Sequence, residues 1–299
     1  TLAMLDEGAG TRNALQIADE IDFLGASLGT GAGFHVSTVS LHTPLARLDA
    51  ALAVMSDVTL RPTFPNEELE RQRKQRLTAL AQAHDNPNAI ASVLYNRTLF
   101  GEQHPYGQRT GGVEKTLRAF TAQDLKNFHA THFVANNAQL IVVGAVTAKT
   151  ILPKLVAGFG KWKAGKTATP TWVAAKQVAD RQFYLVDNPG AAQSVIRIGR
   201  LGVARMTPDY YAITVMNTIL GGSFTSRLNQ NLRETHGYAY GASTNFGFNQ
   251  LPGAFTAAAS VQTDATDKSL VEFMKELNGI RGEITDEENA DLNKVMKVG

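Results

Sequence analysis

An arginine and a tyrosine in the second half of the chain have the chemistry needed to hold a peptide group. Arg233 and Tyr240 lie seven residues apart, with Gly237 between them. A guanidinium binds a carbonyl or carboxylate through a fork of N–H donors, and a phenol donates a hydrogen bond to a developing oxyanion. The structural alternative is a salt bridge from Arg233 to Glu234 and a tyrosine packed in a sheet. The spacing alone favours this alternative.

The elements predicted around the pair would nevertheless bring its side chains together. Residues 226–235 have the pattern of a helix, and Arg233 falls in its last turn. Gly237 is typical of the left-handed residue that ends a helix. Tyr240 then falls on a predicted strand over residues 238–248. The end of this helix and the start of the next strand would therefore place the guanidinium and the phenol next to each other, at the opening of one binding site.

Histidines offer a second kind of chemistry, but their surroundings favour structural roles. His129 and His132 have helical i,i+3 spacing, with no carboxylate within helical reach on that face. We expect a surface or packing role for this pair. His104 precedes Pro105 in a loop, where a contact within the turn is favoured over metal ligation.

Nucleotide and nucleophile motifs are not supported. Gly29, Gly31 and Gly33 alternate like part of a dinucleotide fingerprint, but they follow a helix and precede a strand, the reverse of the required order. Flexibility at the entry to a strand explains them better. The chain has no Gly-x-Ser-x-Gly elbow, and its lack of cysteine excludes thiol nucleophiles and thiolate metal sites.

Composition narrows the class of protein. The 299 residues are 43% hydrophobic and 19% charged with a formal net charge of +2, which gives no sign of a nucleic-acid partner. No apolar stretch reaches the roughly 20 residues of a membrane span. The absence of cysteine suits the cytoplasm or an oxidising compartment. The chain starts at Thr1 without Met and stops at Gly299 within a helical pattern, so we expect both ends to be truncated, with room for a signal peptide upstream.

The first half of the chain is predicted to be mainly helical. Apolar spacing predicts a helix over residues 15–28, and alternation predicts a strand over residues 34–41. Thr121 with Asp124 three residues later is a typical helix start. The continuous apolar run 138–146 is typical of a buried strand. Further helices are predicted from about residue 44 and over residues 66–84, 89–100 and 147–159.

Residues 161–180 differ in composition and periodicity from the residues before them and are predicted to be a linker. They begin with closely spaced lysines and continue with alternating threonine and proline, without regular periodicity. Beyond them, strands are predicted over residues 183–186, 193–201, 238–248 and 253–261. Helices are predicted over residues 208–220, 226–235 and 264–281, and from residue 286.

The two halves repeat each other in the order of their elements. A Glu-Glu pair opens the last helix of each pattern, at Glu67-Glu68 and at Glu287-Glu288, 220 residues apart. The matched order favours a duplicated unit. We therefore predict an α+β fold of two homologous domains of α/β-roll type, each a mostly antiparallel sheet packed with helices. The predicted domains, residues 1–160 and 181–299, should superpose on each other.

Several segments together resemble the pitrilysin/insulinase family of zinc peptidases, the inverzincins with a His-x-x-Glu-His motif. Residues 232–240 are similar to the family's Arg/Tyr motif, and residues 11–21 to the helix that follows its zinc motif. The resemblance covers essentially the whole chain. Its other segments are residues 57–71, His104-Pro105-Tyr106-Gly107, residues 136–144 and residues 221–228.

The chain departs from the family at the zinc site. The motif's glutamate and second histidine align with Leu2 and Ala3, its first histidine would precede Thr1, and the third ligand aligns with Ala79. Three lone-pair donors and an open position are needed for catalytic zinc, together with a glutamate that polarises water. We therefore expect the chain to bind no cofactor, and zinc to lie in a partner subunit.

The resemblance implies a non-catalytic subunit that pairs with a homologous, zinc-bearing peptidase subunit. It implies that Arg233 and Tyr240 bind an extended peptide substrate, adding to a sheet edge, and that the chain is inactive alone but part of a heterodimeric metalloendopeptidase. Two alternatives stay open. One is a structural or assembly subunit like the peptidase-like core proteins of respiratory complexes, and the other is an inactive half of one longer polypeptide. For the compartment we favour the periplasm over the cytoplasm.

Overall fold

The computed structural model describes residues 1–168, 170–290 and 292, which form helices and antiparallel sheets. This confirms the predicted α+β class. The chain divides into two compact units, the first containing residues 1–82 and 110–171 and the second residues 83–109 and those from 172 onward. The division after residue 171 falls inside the predicted linker. The predicted bounds of the homologous domains stay a prediction.

The first unit contains six helices among its described residues and two antiparallel strand pairs. The strands are β1 (Gly8–Ala9), β2 (Arg12–Asn13), β3 (Ser27–Ala32) and β4 (Ser37–His42), paired β1–β2 and β3–β4. The helices are α1 (Ala14–Phe23), α2 (Leu48–Leu60), α3 (Asn66–His84), α5 (Glu114–Ala119), α6 (Ala122–His132) and α7 (Ala148–Phe159). One hydrophobic core, which includes Leu5, Ile17, Ile21 and Val58, lies within this unit.

Helix α1 shows how local contacts set the bounds of an element. Asn13 caps its start, because its side chain accepts a hydrogen bond from the Gln16 amide at 2.9 Å, while the Gln16 side chain accepts from the Asn13 amide. The predicted extension to Leu28 is wrong. The helix ends at Phe23 because Gly25 adopts a left-handed conformation with φ 61°, and Leu28 lies in β3.

The second unit is built on a three-stranded antiparallel sheet. Its strands are β5 (Gln193–Leu201), β6 (Ala239–Phe246) and β7 (Ala254–Gln262), in the order β5–β7–β6. Its helices are α4 (Pro87–Phe100), α8 (Tyr210–Asn217), α9 (Arg227–Asn229) and α10 (Thr266–Gly279), with π-helical turns at Thr218–Gly222 and Gln230–Thr235. Residues 286–290 are helical as predicted, whereas 291 and 293–299 of that predicted helix lie outside the described residues.

A half-buried tyrosine connects helix α4 to the sheet of the second unit. The Tyr95 hydroxyl donates to the carbonyl of Phe255 at 2.8 Å and lies 2.9 Å from the hydroxyl of Thr256, both on β7. Burial raises the pKa of Tyr95, since a phenolate would lose its hydration there. Residues 83–109 group with the second unit, and the contacts of Tyr95 are among those within it.

Two predicted strands are not formed among the described residues. Residues 138–143 have no regular structure, and Ile141 and Val143 are exposed, so the expected buried strand is wrong. Residues 183–186 likewise have no regular structure and are exposed. A strand exists only where a neighbour pairs with its backbone, and the described residues supply no partner for either run. Among these residues, no helix has the length and apolar character to cross a membrane.

Candidate functional site

Arg233 lies in a helical segment whose other face is fully buried. Leu228 and Leu232, one turn apart, have no exposed surface and belong to the core of the second unit. The segment stops as predicted, because Gly237 has φ 64° and the Tyr238 amide donates to the Leu232 carbonyl at 2.9 Å. Burial of the leucines thus fixes which way Arg233 faces. The π-helical turn around it is a form found frequently at functional sites.

A polar cluster fastens the same turn to α10. The Asn231 amide donates to the carboxylates of Glu272 and Glu276 at 2.7 Å and 2.6 Å. The hydrogen bond from Asn231 lowers the pKa of Glu272, with a smaller contribution from Lys275. His236 approaches Glu272 at 3.8 Å, completing a set of contacts that holds the end of the turn.

Tyr240 lies on β6 at a β-bulge. The register of β6 against β7 shifts by one residue between Ala239 and Ala242, so Tyr240 and Gly241 together oppose one residue of β7. Ala239 and Ala242 are buried, whereas Tyr240 is 84% exposed. The bulge therefore turns the tyrosine out of the sheet instead of packing it in the core.

The structure brings Arg233 and Tyr240 together and adds a third residue. The guanidinium carbon of Arg233 lies 4.8 Å from the centre of the Tyr240 ring and 4.7 Å from that of Phe224. Both distances are within the range of cation–π attraction. A guanidinium that lies over aromatic rings still has N–H donors in its own plane, and these can bind a carbonyl or carboxylate.

The salt bridge of the structural alternative is also present. Nε of Arg233 lies 3.1 Å from a carboxylate oxygen of Glu234. The Arg233 side chain retains 30% of its exposure, and the ion pair involves only one edge of the guanidinium. The two interpretations of this arginine are thus both compatible with its contacts, and the functional role stays a prediction.

Phe224 was missed by reasoning from the sequence. It lies in the segment 221–228, whose resemblance concerns the pattern as a whole, and nothing in its spacing from Arg233 indicates a contact. Its ring is exposed despite being apolar. A phenylalanine two residues after the pair Gly221-Gly222 was the one signal in the sequence.

The outer edge of β6 is occupied beside the stack. The Ala242 amide donates to the Asn229 side chain at 3.1 Å, and the Thr244 carbonyl accepts from the Asn217 side chain at 3.2 Å. Both groups belong to the edge strand of the β5–β7–β6 sheet. A peptide adding a strand by backbone hydrogen bonds, as the sequence suggested, would find these groups already paired at residues 242–244.

The residues at the aligned zinc positions do not fit the metal. Leu2 and Ala3 form part of a 3₁₀ turn, and Ala79 lies on α3. Alkyl side chains have no lone pair for zinc. Within residues 1–168, 170–290 and 292, no group of three or more His, Cys, Asp or Glu side chains lies close enough to hold a metal ion.

The histidines make the structural contacts expected of them. His129 lies 2.8 Å through Nε2 from the carbonyl of Thr59, stacks on Phe133, and has its pKa lowered by burial. His104 accepts a hydrogen bond from the Tyr106 amide at 3.1 Å within the predicted turn. Gly29, Gly31 and Gly33 run along and just beyond β3.

Two family models match consecutive parts of the chain. Residues 3–110 match the model described as insulinase, peptidase family M16, and residues 119–294 match the peptidase M16 inactive domain. The chain belongs to the pitrilysin/insulinase family, peptidase family M16. The match to the inactive domain includes Phe224, Arg233 and Tyr240, and the comparisons support a peptidase-like, non-catalytic half of this family.

Individual relatives agree with the family models. An uncharacterized zinc protease of Rickettsia felis is 27% identical over 287 residues, which are 95% of this chain and 68% of that protein. A peptidase M16 inactive domain from Pseudomonas fluorescens has a TM-score of 0.89 and 26% identity, covering 99% of this chain and 72% of that one. The periplasmic protease PqqL from Escherichia coli shares the fold, with a TM-score of 0.73 at 18% identity over 99% of this chain and 34% of its own.

Proposed function

We propose that this M16 protein is the non-catalytic subunit or half of a zinc metallopeptidase. It binds extended peptide substrates and supplies Arg233 and Tyr240 to the active site of a homologous, zinc-bearing partner. The observation that carries the proposal is the position of the Arg233 guanidinium carbon over the exposed Tyr240 ring, 4.8 Å from its centre. The pair lies within the part of the chain that matches the inactive domain of the family.

The two side chains have complementary tasks in this proposal. The N–H groups of Arg233 bind a substrate carbonyl or carboxylate, and the Tyr240 hydroxyl donates to the oxygen on which negative charge develops. The exposed Phe224 ring contributes an apolar surface beside them. Because the edge of β6 is already paired at residues 242–244, side chains rather than a new strand hold the peptide there.

Zinc belongs to the partner in this proposal. Zinc polarises the scissile carbonyl and lowers the pKa of bound water, and this chain has no donor at Leu2, Ala3 or Ala79 to hold it. The partner is either a separate subunit or another part of the same polypeptide. We place the pair in the periplasm, a choice supported by the fold shared with periplasmic PqqL.

Reconstitution of the two subunits tests whether the partner supplies the zinc and whether this chain is inactive without it. The chain, prepared without chelator, is expected to contain no stoichiometric zinc by elemental analysis and to leave a quenched-fluorescent peptide library uncut. Mixing it with the zinc-bearing homologue from the same genome should produce chelator-sensitive cleavage. One zinc per isolated chain, or chelator-sensitive cleavage by that chain alone, would contradict the proposal.

Substitutions then test the two residues in the reconstituted pair. Arg233→Ala and Tyr240→Phe should each lower kcat on the order of 10²-fold, with little change in KM, because their hydrogen bonds strengthen in the transition state. Arg233→Lys should behave like Arg233→Ala, since lysine keeps the charge but not the planar fork. Arg118→Ala and Tyr211→Phe, which change exposed residues of the same types, are the controls.

The alternative is a structural or assembly subunit that resembles the peptidase-like core proteins of respiratory complexes. The ion pair between Arg233 and Glu234 favours it, because a paired arginine needs no substrate. Wild-type activity in both Arg233→Ala and Tyr240→Phe would indicate that these residues have only packing roles. The alternative would then be the better description.

A further inference from the structure

A single buried amide, that of Asn229, contacts both sides of the candidate site. Asn229 is 4% exposed and ends α9, one helical turn before Arg233. Its Nδ2 donates to the carbonyl of Phe224 at 2.7 Å, and its Oδ1 accepts from the amide of Ala242 at 3.1 Å. The side chain thus uses its donor toward the loop of Phe224 and its acceptor toward β6.

The bond to β6 falls where the bulge ends. The register shift lies between Ala239 and Ala242, and Ala242 is the residue at which regular pairing with β7 resumes. Because β6 is an edge strand of the β5–β7–β6 sheet, the Ala242 amide on its outer side has no partner in the ladder, and a buried unpaired amide is costly. Asn229 supplies that partner for Ala242, which stabilises the register in which Tyr240 faces outward.

The bond to the loop fixes the other ring of the stack. Phe224 is contacted at two points: its carbonyl accepts a hydrogen bond from the buried Asn229 side chain, and its ring lies over the Arg233 guanidinium. The helical segment that carries Asn229 also carries Arg233. One amide therefore connects the loop of Phe224, the turn of Arg233 and the bulge of Tyr240.

We propose that Asn229 is the positioning residue of this site: it holds Phe224, Arg233 and Tyr240 in the stacked arrangement without touching substrate. The proposal rests on the function proposed above for Arg233 and Tyr240. An amide suits this place because it donates and accepts at once. A carboxylate would face the Phe224 carbonyl without a proton to donate, and an aliphatic side chain would leave both partners unpaired.

The chain contains a matched control. Asn217, at the end of α8, also makes two hydrogen bonds to β6, accepting from the Thr244 hydroxyl at 2.8 Å and donating to the Thr244 carbonyl at 3.2 Å. It contacts the strand two residues beyond Ala242, outside the bulge. Asn217→Ala therefore removes a comparable helix–strand connection without touching the positioning contacts.

The first experiment uses the isolated chain and needs no substrate. In Asn229→Ala, the Ala242 amide should exchange with solvent on the order of tenfold faster or more. The NMR contacts of the Arg233 side chain with the rings of Phe224 and Tyr240 should weaken or vanish. Asn217→Ala should leave both readouts as in wild type. Should Asn229→Ala not fold, Asn229→Ser, whose shorter side chain does not bridge both partners, takes its place.

The second experiment uses the reconstituted pair with the zinc-bearing homologue. Asn229→Ala should lower kcat on the order of tenfold while KM changes less than about twofold, and Asn217→Ala should change neither. Intact ring contacts and an intact Ala242 amide in Asn229→Ala would overturn the proposal. Equal effects of the two asparagine substitutions would overturn it as well, since they would indicate general docking of helix on strand. Loss of the stack without loss of activity would instead count against the proposed function of Arg233 and Tyr240.

Discussion

Two arginines of one helical segment show how contacts separate a structural residue from a candidate site residue. Arg227 makes a two-pronged ion pair with Glu288 and also donates to the carbonyls of Gly279 and Glu283. Arg233 has, among the described residues, one ion pair and two aromatic faces. Arg227 therefore has its donors used within the fold, whereas Arg233 keeps donors for a ligand.

The Arg227–Glu288 pair predicts a specific acid sensitivity. The hydrogen bond from Arg227 lowers the pKa of Glu288 to about 2, from an ordinary value of 4.5 that applies in the unfolded chain. A lowered pKa stabilises the fold above the unfolded value, and this stabilisation is lost as the pH falls through the folded value. The melting temperature of wild type should therefore fall more steeply between about pH 5 and pH 2 than that of Glu288→Gln.

Thermal unfolding followed by circular dichroism across this range provides the measurement. Glu114→Gln is the control, because Glu114 pairs with Arg118 at an exposed position where ion pairs contribute little. It should keep the wild-type pH dependence. An equal slope in wild type and Glu288→Gln would show that the Arg227 pair contributes no acid sensitivity.

At the scale of elements, hydrogen bonds from side chains connect helices to the sheet of the second unit. Asn217 and Asn229 connect the segments before β6 to its outer edge, and Tyr95 connects α4 to β7. The asparagine contacts occupy backbone groups of the edge strand β6, and the Tyr95 contact occupies a carbonyl of the central strand β7. The arrangement of the candidate site depends on them as much as on the apolar core.

Tyr95→Phe tests the connection of α4. Removing the hydroxyl deletes its bonds to Phe255 and Thr256 and should reduce the free energy of unfolding by about 1–3 kcal/mol, since each such hydrogen bond contributes about 0.5–1.5 kcal/mol. Tyr211→Phe, at a tyrosine that is 76% exposed, should cost less than about 0.5 kcal/mol. Urea unfolding of both variants gives the comparison, and equal stabilities would mean that the Tyr95 hydroxyl does not stabilise the fold.

At the scale of the whole molecule, each unit contains its own core. In the first unit the core includes Leu5, and in the second it includes Phe273, both without exposed surface. Apolar side chains are also found on the surface, where Leu185 is 96% exposed. Buried and exposed apolar side chains should contribute very differently to the free energy of unfolding, because only burial removes apolar area from water.

The same substitution at two leucines measures this difference. Leu5→Ala leaves a cavity and should cost about 2–5 kcal/mol of unfolding free energy. Leu185→Ala removes the same atoms from the surface and should cost less than about 0.5 kcal/mol. Chemical denaturation compares the two variants under one set of conditions. A large loss in Leu185→Ala would mean that this leucine is buried in the protein in solution.

Local sequence signals predicted the helices well. Thr121 with Asp124 was predicted to start α6, and Thr147 to start α7, and both threonines cap their helices. A cap is a contact within four residues, so the sequence contains it completely. The apolar runs at 138–146 and 183–186 had the composition of strands, but a strand requires a partner that lies elsewhere in the chain. Composition alone was therefore a poor guide to them.

The sequence by itself determined the family, the α+β class and the candidate pair. The resemblance of residues 232–240 to the family's Arg/Tyr motif indicated Arg233 and Tyr240, and the types of residue at Leu2, Ala3 and Ala79 removed the donors that zinc needs. Such information depends on residue identity and on short separations along the chain.

Only the tertiary structure decided how the pair is arranged. The Phe224 ring over Arg233, the one-residue shift that turns Tyr240 outward, and the amide of Asn229 beneath them involve different elements. Each element is specified by its own local pattern, but the register between them is set when their buried faces pack together. A bulge moves every following side chain of a strand by one place, and no local pattern in the sequence marks where it occurs.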